Sequence, residues 1–235
     1  MSASSDTSLS RRERERRRRR RAMLEAARAV FAERGYAQAT LEEIAERAEF
    51  GKGTLYNYFE GGKEEMLFAL FEDIFGEIEA LIQTVFQEEL NEEQSLREAF
   101  HTFAKRHYQL VLDRQQLFLI LVKEGHLMAF SDDTERVRFF QQQHQRLVNA
   151  LIPVLREAME EREIQHLPPS SVAHLLLANV RGIGIHSILQ EWQTLCDEEH
   201  CDELTTLNDS EHTADFLTTL LFDGLETKDA SHASA

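Results

Sequence analysis

Apolar residues return every third or fourth position along almost the whole of this chain, and nowhere do they alternate. A period near 3.6 collects such residues on one face of an α-helix, whereas a half-buried strand needs a period of two. With 3 prolines and 10 glycines in 235 residues, the chain also lacks the frequent turns of a sandwich or barrel. The expectation is an all-α fold of about nine helices, and 42% hydrophobic content is enough to fill its core.

Local signals place the helices. Leu24, Ala27 and Phe31 form one stripe, and Gly35 supplies a left-handed stop. Thr40 and Glu43 make a capping box that starts a short helix at Leu41, with Ile44, Ala45 and Ala48 on its inner face. After a break at residues 49–51, a second short helix spans residues 52–59, with Leu55 and Phe59 facing inward. A long helix opens near Lys63. Ser95 and Glu98 cap another, residues 117–124 continue as a mostly buried helix, and Pro153 is expected to kink the helix that follows the polar break at 131–133. Pro168 and Pro169 precede a strongly apolar helix over about 172–192, and a last helix covers about 208–223.

The net charge of −16 is unevenly spread. Residues 1–63 hold 14 Lys/Arg against 10 Asp/Glu, a net +4, and the remainder carries −20. A positive head on an acidic body can present cations to phosphates while the body repels them. No apolar run is long enough to span a membrane, and the N-terminus has no signal-peptide apolar block, so a cytoplasmic location is expected. Two cysteines cannot staple a chain of this size. Residues 11–21 are an arginine run, read either as a solvated first turn or as an arm touching DNA backbone.

Two short helices joined by a tight turn, with a helix on either side, form a helix-turn-helix. The residues make this specific. The stretch IAERAEFGKGTLYNYF (44–59), followed by KEEML (63–67) and preceded by AARAVFAERGY (26–36), strongly resembles the N-terminal domain of the TetR family of bacterial transcriptional repressors. The likeness covers about residues 16–76. The sequence departs from the family pattern at Glu49, in place of the turn glycine; at Gly51, in place of a serine cap; and at Gly61-Gly62, which add a residue before Lys63. The resemblance implies a homodimer that binds a palindromic operator in double-stranded DNA and is released by a small, apolar effector. Repression is the default role in such a family, and activation is the alternative.

Matching positions and side-chain chemistry together suggest the DNA contacts. Lys52 and Tyr56, one helical turn apart, are placed to meet base edges, and Gly53 allows close approach. Thr54, Asn57 and Tyr58 carry neutral donors for phosphate oxygens, Lys63 adds charge, and Thr40 is either a phosphate donor or simply a cap. For Tyr56 and Tyr58 the alternative is ordinary packing.

The domain plan is a disordered basic tail (1–15), a DNA-binding domain (16–76), a ligand-binding and dimerisation domain (77–226) and a disordered tail (227–235). By resemblance, the last two helices pair between subunits, with Gly182, Gly184, Ile188, Phe216 and Leu220 at the interface. Phe103, His107, Phe118, Leu121, Phe140 and His144 are candidates for the wall of an effector cavity; ordinary core packing is the alternative for each. Cys196, His200, Cys201 and His212 match no standard zinc spacing and read as a solvated loop, so neither metal nor cofactor is expected. An enzyme and a helical interaction module are the rival classes. No nucleophile elbow, phosphate loop or metalloprotease helix supports the first, and the intact 52–59 segment argues against the second.

Overall fold

A computed structural model describes residues 10–89, 94–193 and 209–224. Helices occupy most of them, and no strand occurs among the described residues. Among the described residues, ten α-helices follow in order: α1 (Arg11–Arg34), α2 (Leu41–Arg47), α3 (Lys52–Tyr56), α4 (Gly62–Gln83), α5 (Leu96–Asp113), α6 (Gln115–Ile120), α7 (His126–Ala129), α8 (Thr134–Glu160), α9 (Pro169–Gln193) and α10 (Ser210–Thr218). A π-helical turn, Leu121–Gly125, joins α6 to α7 in one broken segment. Counted that way, the helices among the described residues number nine, in line with the about nine expected.

Capping boxes set three of the starts. Thr40 and Glu43 open α2, Ser95 and Glu98 open α5, and Ser10 and Glu13 open α1. In each, the hydroxyl accepts an otherwise unpaired N–H and the carboxylate returns to the cap, a pairing typically worth about 1 kcal/mol. The third box lies inside the segment expected to be a disordered tail (1–15). From Ser10 onward that expectation is corrected, because the arginine run is helical and continuous with the rest of α1. Residues 1–9 and the expected tail 227–235 lie outside the described residues.

The N-terminal helices contribute one end of an apolar core that continues into the C-terminal body. Met23, Ala27 and Phe31 from α1 meet Ile44, Leu55, Phe59 and the α4 residues Met66, Leu67 and Phe71, all buried. Salt bridges brace this end: Arg47 donates to both oxygens of Glu33 at 2.6 and 2.7 Å, and Arg34 lies 3.0 Å from Glu43. Helix α4 then runs on into the C-terminal body, packing on α8 and α5. Helix α8 continues through Pro153, and α10 lies along α5.

Candidate DNA-binding surface and effector cavity

Helix α2 ends in a reverse turn that aims α3. Phe50 N–H reaches back to Ala45 O at 3.0 Å, and the residue at the corner, Glu49, sits at φ 58°. That left-handed backbone favours glycine, so Glu49 holds the turn at a steric cost. Gly51 then caps α3 with extended backbone and no side-chain hydrogen bond. Helix α3 is shorter than the 52–59 expected. Past Tyr56 the chain tightens, with Tyr58 N–H bonding Leu55 O at 3.0 Å and Phe59 N–H the same oxygen at 2.9 Å, which seats Phe59 in the core.

On the outer side of this unit Lys52, Gly53, Tyr56 and Asn57 are exposed, with Tyr56 at 43%, while Thr54 and Tyr58 are half-buried. Lys52 ion-pairs with Glu42 of α2, which holds the Glu42 carboxyl below its usual range and raises the lysine. The pair is fully open to water and so is readily exchanged for another partner.

Two expected contacts are corrected. Lys63 Nζ donates to the carbonyls of Tyr36, Ala37 and Ala39 at 2.9, 3.2 and 3.1 Å and lies 4.7 Å from the centre of the Tyr36 ring. An ammonium has three N–H groups. All are used in closing the α1–α2 loop, so Lys63 is a clamp there and not a free phosphate ligand. Gly62, at φ 65°, makes the reversal that turns Lys63 inward, which accounts for the added glycine. Thr40 Oγ1 donates to Glu43 Oε2 at 3.0 Å and accepts from Glu43 N–H at 3.3 Å, so its hydroxyl serves the cap.

In the body, all six residues expected around a cavity come together. Phe103, His107, Phe118, Leu121, Phe140 and His144 line a single space of about 380 Å³, together with Phe75 and Ile78 of α4. That volume lies within the usual range for a small-molecule site. Gly125, on the π-turn, lets Phe140 approach: a Cβ there would stand 3.3 Å from the ring. His107 is 5% exposed, its Nδ1 has no hydrogen-bond partner, and burial pushes its imidazole down to about 4. His144 Nε2 meets His174 Nδ1 at 2.6 Å; burial, then His174 and Arg181, lower its affinity for a proton. The sequence reading missed Arg181 and His126, which bring the polar and cationic character to a largely apolar wall.

The expected subunit interface divides in two. Gly184 and Ile188 are buried within the chain, and a Cβ on Gly184 would stand 3.1 Å from Val111 Cγ2. Two residues advance a helix by about 200°, so Gly182 and Gly184 cannot share a face. Gly184 permits the close approach of α9 to α5, and the interface expectation for it and for Ile188 is corrected. Gly182 faces outward, as do Leu175 (57% exposed) and Phe216 (50% exposed), and Leu220 is half-buried. The ligating atoms of His101, Glu211 and Asp215 lie within 4.8 Å of one another, but Lys105 already ion-pairs with Glu211, which makes this a charged seam between α5 and α10. Cys196, His200 and Cys201 lie outside the described residues. His212 bonds the capping residue Asp209.

Comparison with known proteins agrees with this geometry. A family model described as bacterial regulatory proteins, tetR family, matches residues 23–70. A fatty acid metabolism regulator protein of Bacillus subtilis (strain 168) is 30% identical over 99 residues, covering 42% of this chain and 48% of that protein. The match thus spans about half the length of that curated relative. Among solved structures, the fatty acid degradation regulator FadR from Bacillus halodurans superposes with a TM-score of 0.68 at 22% identity, over 88% of this chain and 99% of that one. FadR from Bacillus subtilis, solved in complex with stearoyl-CoA, gives 0.66 at 20% identity over the same shares. At these identities the structural likeness establishes the fold.

Proposed function

We propose that this chain, whose residues 23–70 match the model for bacterial regulatory proteins of the tetR family, is a member of that family and acts as a dimeric, ligand-responsive DNA-binding regulator of transcription rather than an enzyme. Its default action is repression, with release from the operator when an effector fills the cavity. One observation carries this reading: α4 begins directly after the recognition segment and supplies Phe75 and Ile78 to the cavity wall. A single stiff element therefore feels both the ligand and the position of α3. An effector that favours one tilt of α4 biases the other site by its differential affinity for the two states.

In this reading Lys52 and Tyr56 reach base edges in the major groove, while Gly53, Thr54, Asn57 and Tyr58 follow the backbone. Two such units are needed for specific affinity, about 34–36 Å apart on one face of the duplex. The outward apolar residues Leu175 and Phe216, with small Gly182 between turns of α9, support pairing of α9 and α10 across a two-fold axis. The effector we propose is a long apolar chain with a polar, anionic head, of the fatty acyl thioester class. The aromatic wall suits the chain, Arg181 suits an anion, and the unpaired His107 Nδ1 offers a neutral hydrogen bond inside. The stearoyl-CoA held by the Bacillus subtilis structure supports the same class.

Selection of duplexes from a random-sequence pool tests the reading. The expected product is a dyad with two half-sites about one helical turn apart. Recovery of no preferred sequence, or of an isolated half-site, would refute it.

A further inference from the structure

Residues 11–21 contain nine arginines and two glutamates, and they form the first three turns of α1, ahead of its first buried residue, Met23. Both glutamates are engaged within the helix: Glu13 closes the capping box with Ser10, and Glu15 pairs with Arg18 and Arg19. The projection is anchored against the end of the recognition segment. The Arg16 guanidinium lies 5.8 Å from the Tyr58 ring centre, and that of Arg20 lies 5.0 Å from the Phe59 ring. The arginines therefore form a rod about 16 Å long whose base sits beside the residues assigned to DNA.

Such an array is costly in the free protein. Arg12 and Arg16, Arg16 and Arg20, and Arg17 and Arg21 are like charges one turn apart on a single helix, which opposes helix formation. The cap, the Glu15 pairs and the two aromatic contacts hold it in place nonetheless. A polyanion adjoining Tyr58 would relieve the repulsion and release the counterions that the array collects.

We propose that this arginine-lined helix is a second DNA-contacting surface, which grips the phosphates of duplex DNA adjoining the half-site read by α3. The inference rests on the operator-binding reading above. The arm adds affinity without sequence choice and offsets the repulsion between DNA and a body that carries −20. It does so as a rigid extension of α1 and not as a flexible strand threaded into the groove.

The test replaces Arg11, Arg12, Arg17 and Arg21 by glutamine. All four are exposed, glutamine keeps the helix, and the contacts of Arg16, Arg19 and Arg20 are preserved. Binding to the duplex selected from the random pool is measured across a salt series, with circular dichroism confirming unchanged helix content. The expected result is a slope of log Kd against log salt shallower by about 2 or more per subunit, with the preference for operator over scrambled duplex unchanged. Wild-type binding to the operator with the same slope in the variant overturns the arm and leaves the operator reading standing. Failure of the wild type to prefer any duplex overturns both.

Discussion

Arg136 Nε donates to Glu64 Oε1 at 2.8 Å, joining the first turn of α8 to the first turn of α4. Helix α8 carries Phe140 and His144 into the cavity, and α4 follows the recognition segment directly. The bond therefore bridges the helix-turn-helix half and the half that holds most of the cavity, at the point where they meet. Arg136→Gln should leave effector-free operator affinity nearly unchanged. It should reduce the loss of affinity caused by effector, since a coupling of about 1–3 kcal/mol passes through few such contacts. Full effector response in the variant would show that α4 alone carries the coupling.

His107 makes a pH prediction. Its folded pKa of about 4 lies below the unfolded value near 6.5, so the unfolded chain takes up the proton first as pH falls. The stabilisation is complete above pH 6.5 and is lost between there and about 4. At pH 5 the deficit is about 2 kcal/mol. His107→Leu should remove this loss, so denaturant curves of the two proteins should diverge between pH 7 and 5. Parallel profiles would place the imidazole in water.

Glu49 occupies a left-handed corner at φ 58°. Glu49→Gly should stabilise the protein by about 1 kcal/mol, read from the denaturation midpoint, because relief of the clash exceeds the added freedom of the unfolded chain. A loss of stability would mean that the Glu49 side chain contributes more than its backbone costs.

Glu42 ion-pairs with Lys52, and on the proposed operator-binding reading its carboxylate competes with DNA for that ammonium. Glu42→Gln should free the ammonium and remove a negative charge beside the groove, tightening operator binding several-fold at low salt, with a smaller gain at high salt. Unchanged affinity would mean that Lys52 does not approach the DNA.

Much of this was legible in the sequence because the controlling interactions are local. The Thr40 and Ser95 boxes placed two helix starts to the residue. The spacing of Phe103 with His107, and of Phe140 with His144, put each pair on one helical face, and both faces meet the cavity. The arginine run concealed an equally legible box at Ser10 and Glu13, hence the misreading of residues 10–15 as a disordered tail. Helix α9 defeated the reading for a different reason. It is apolar around much of its circumference, so periodicity could not say that Gly184 faces Val111 while Gly182 faces out. The role of Lys63 depends on carbonyls 24 to 27 residues away, which no local pattern encodes.

On the proposed reading, filling the cavity loosens the grip on DNA. Fluorescence anisotropy of the labelled selected operator, titrated with protein at fixed salt, measures it most directly when run with and without a saturated long-chain acyl thioester. The ligand should weaken operator binding about tenfold or more, and Phe140→Arg, which places charge and bulk in the cavity, should abolish that response. Equal operator affinity with and without bound ligand, in a protein shown by calorimetry to bind it, would mean that the cavity does not control DNA binding.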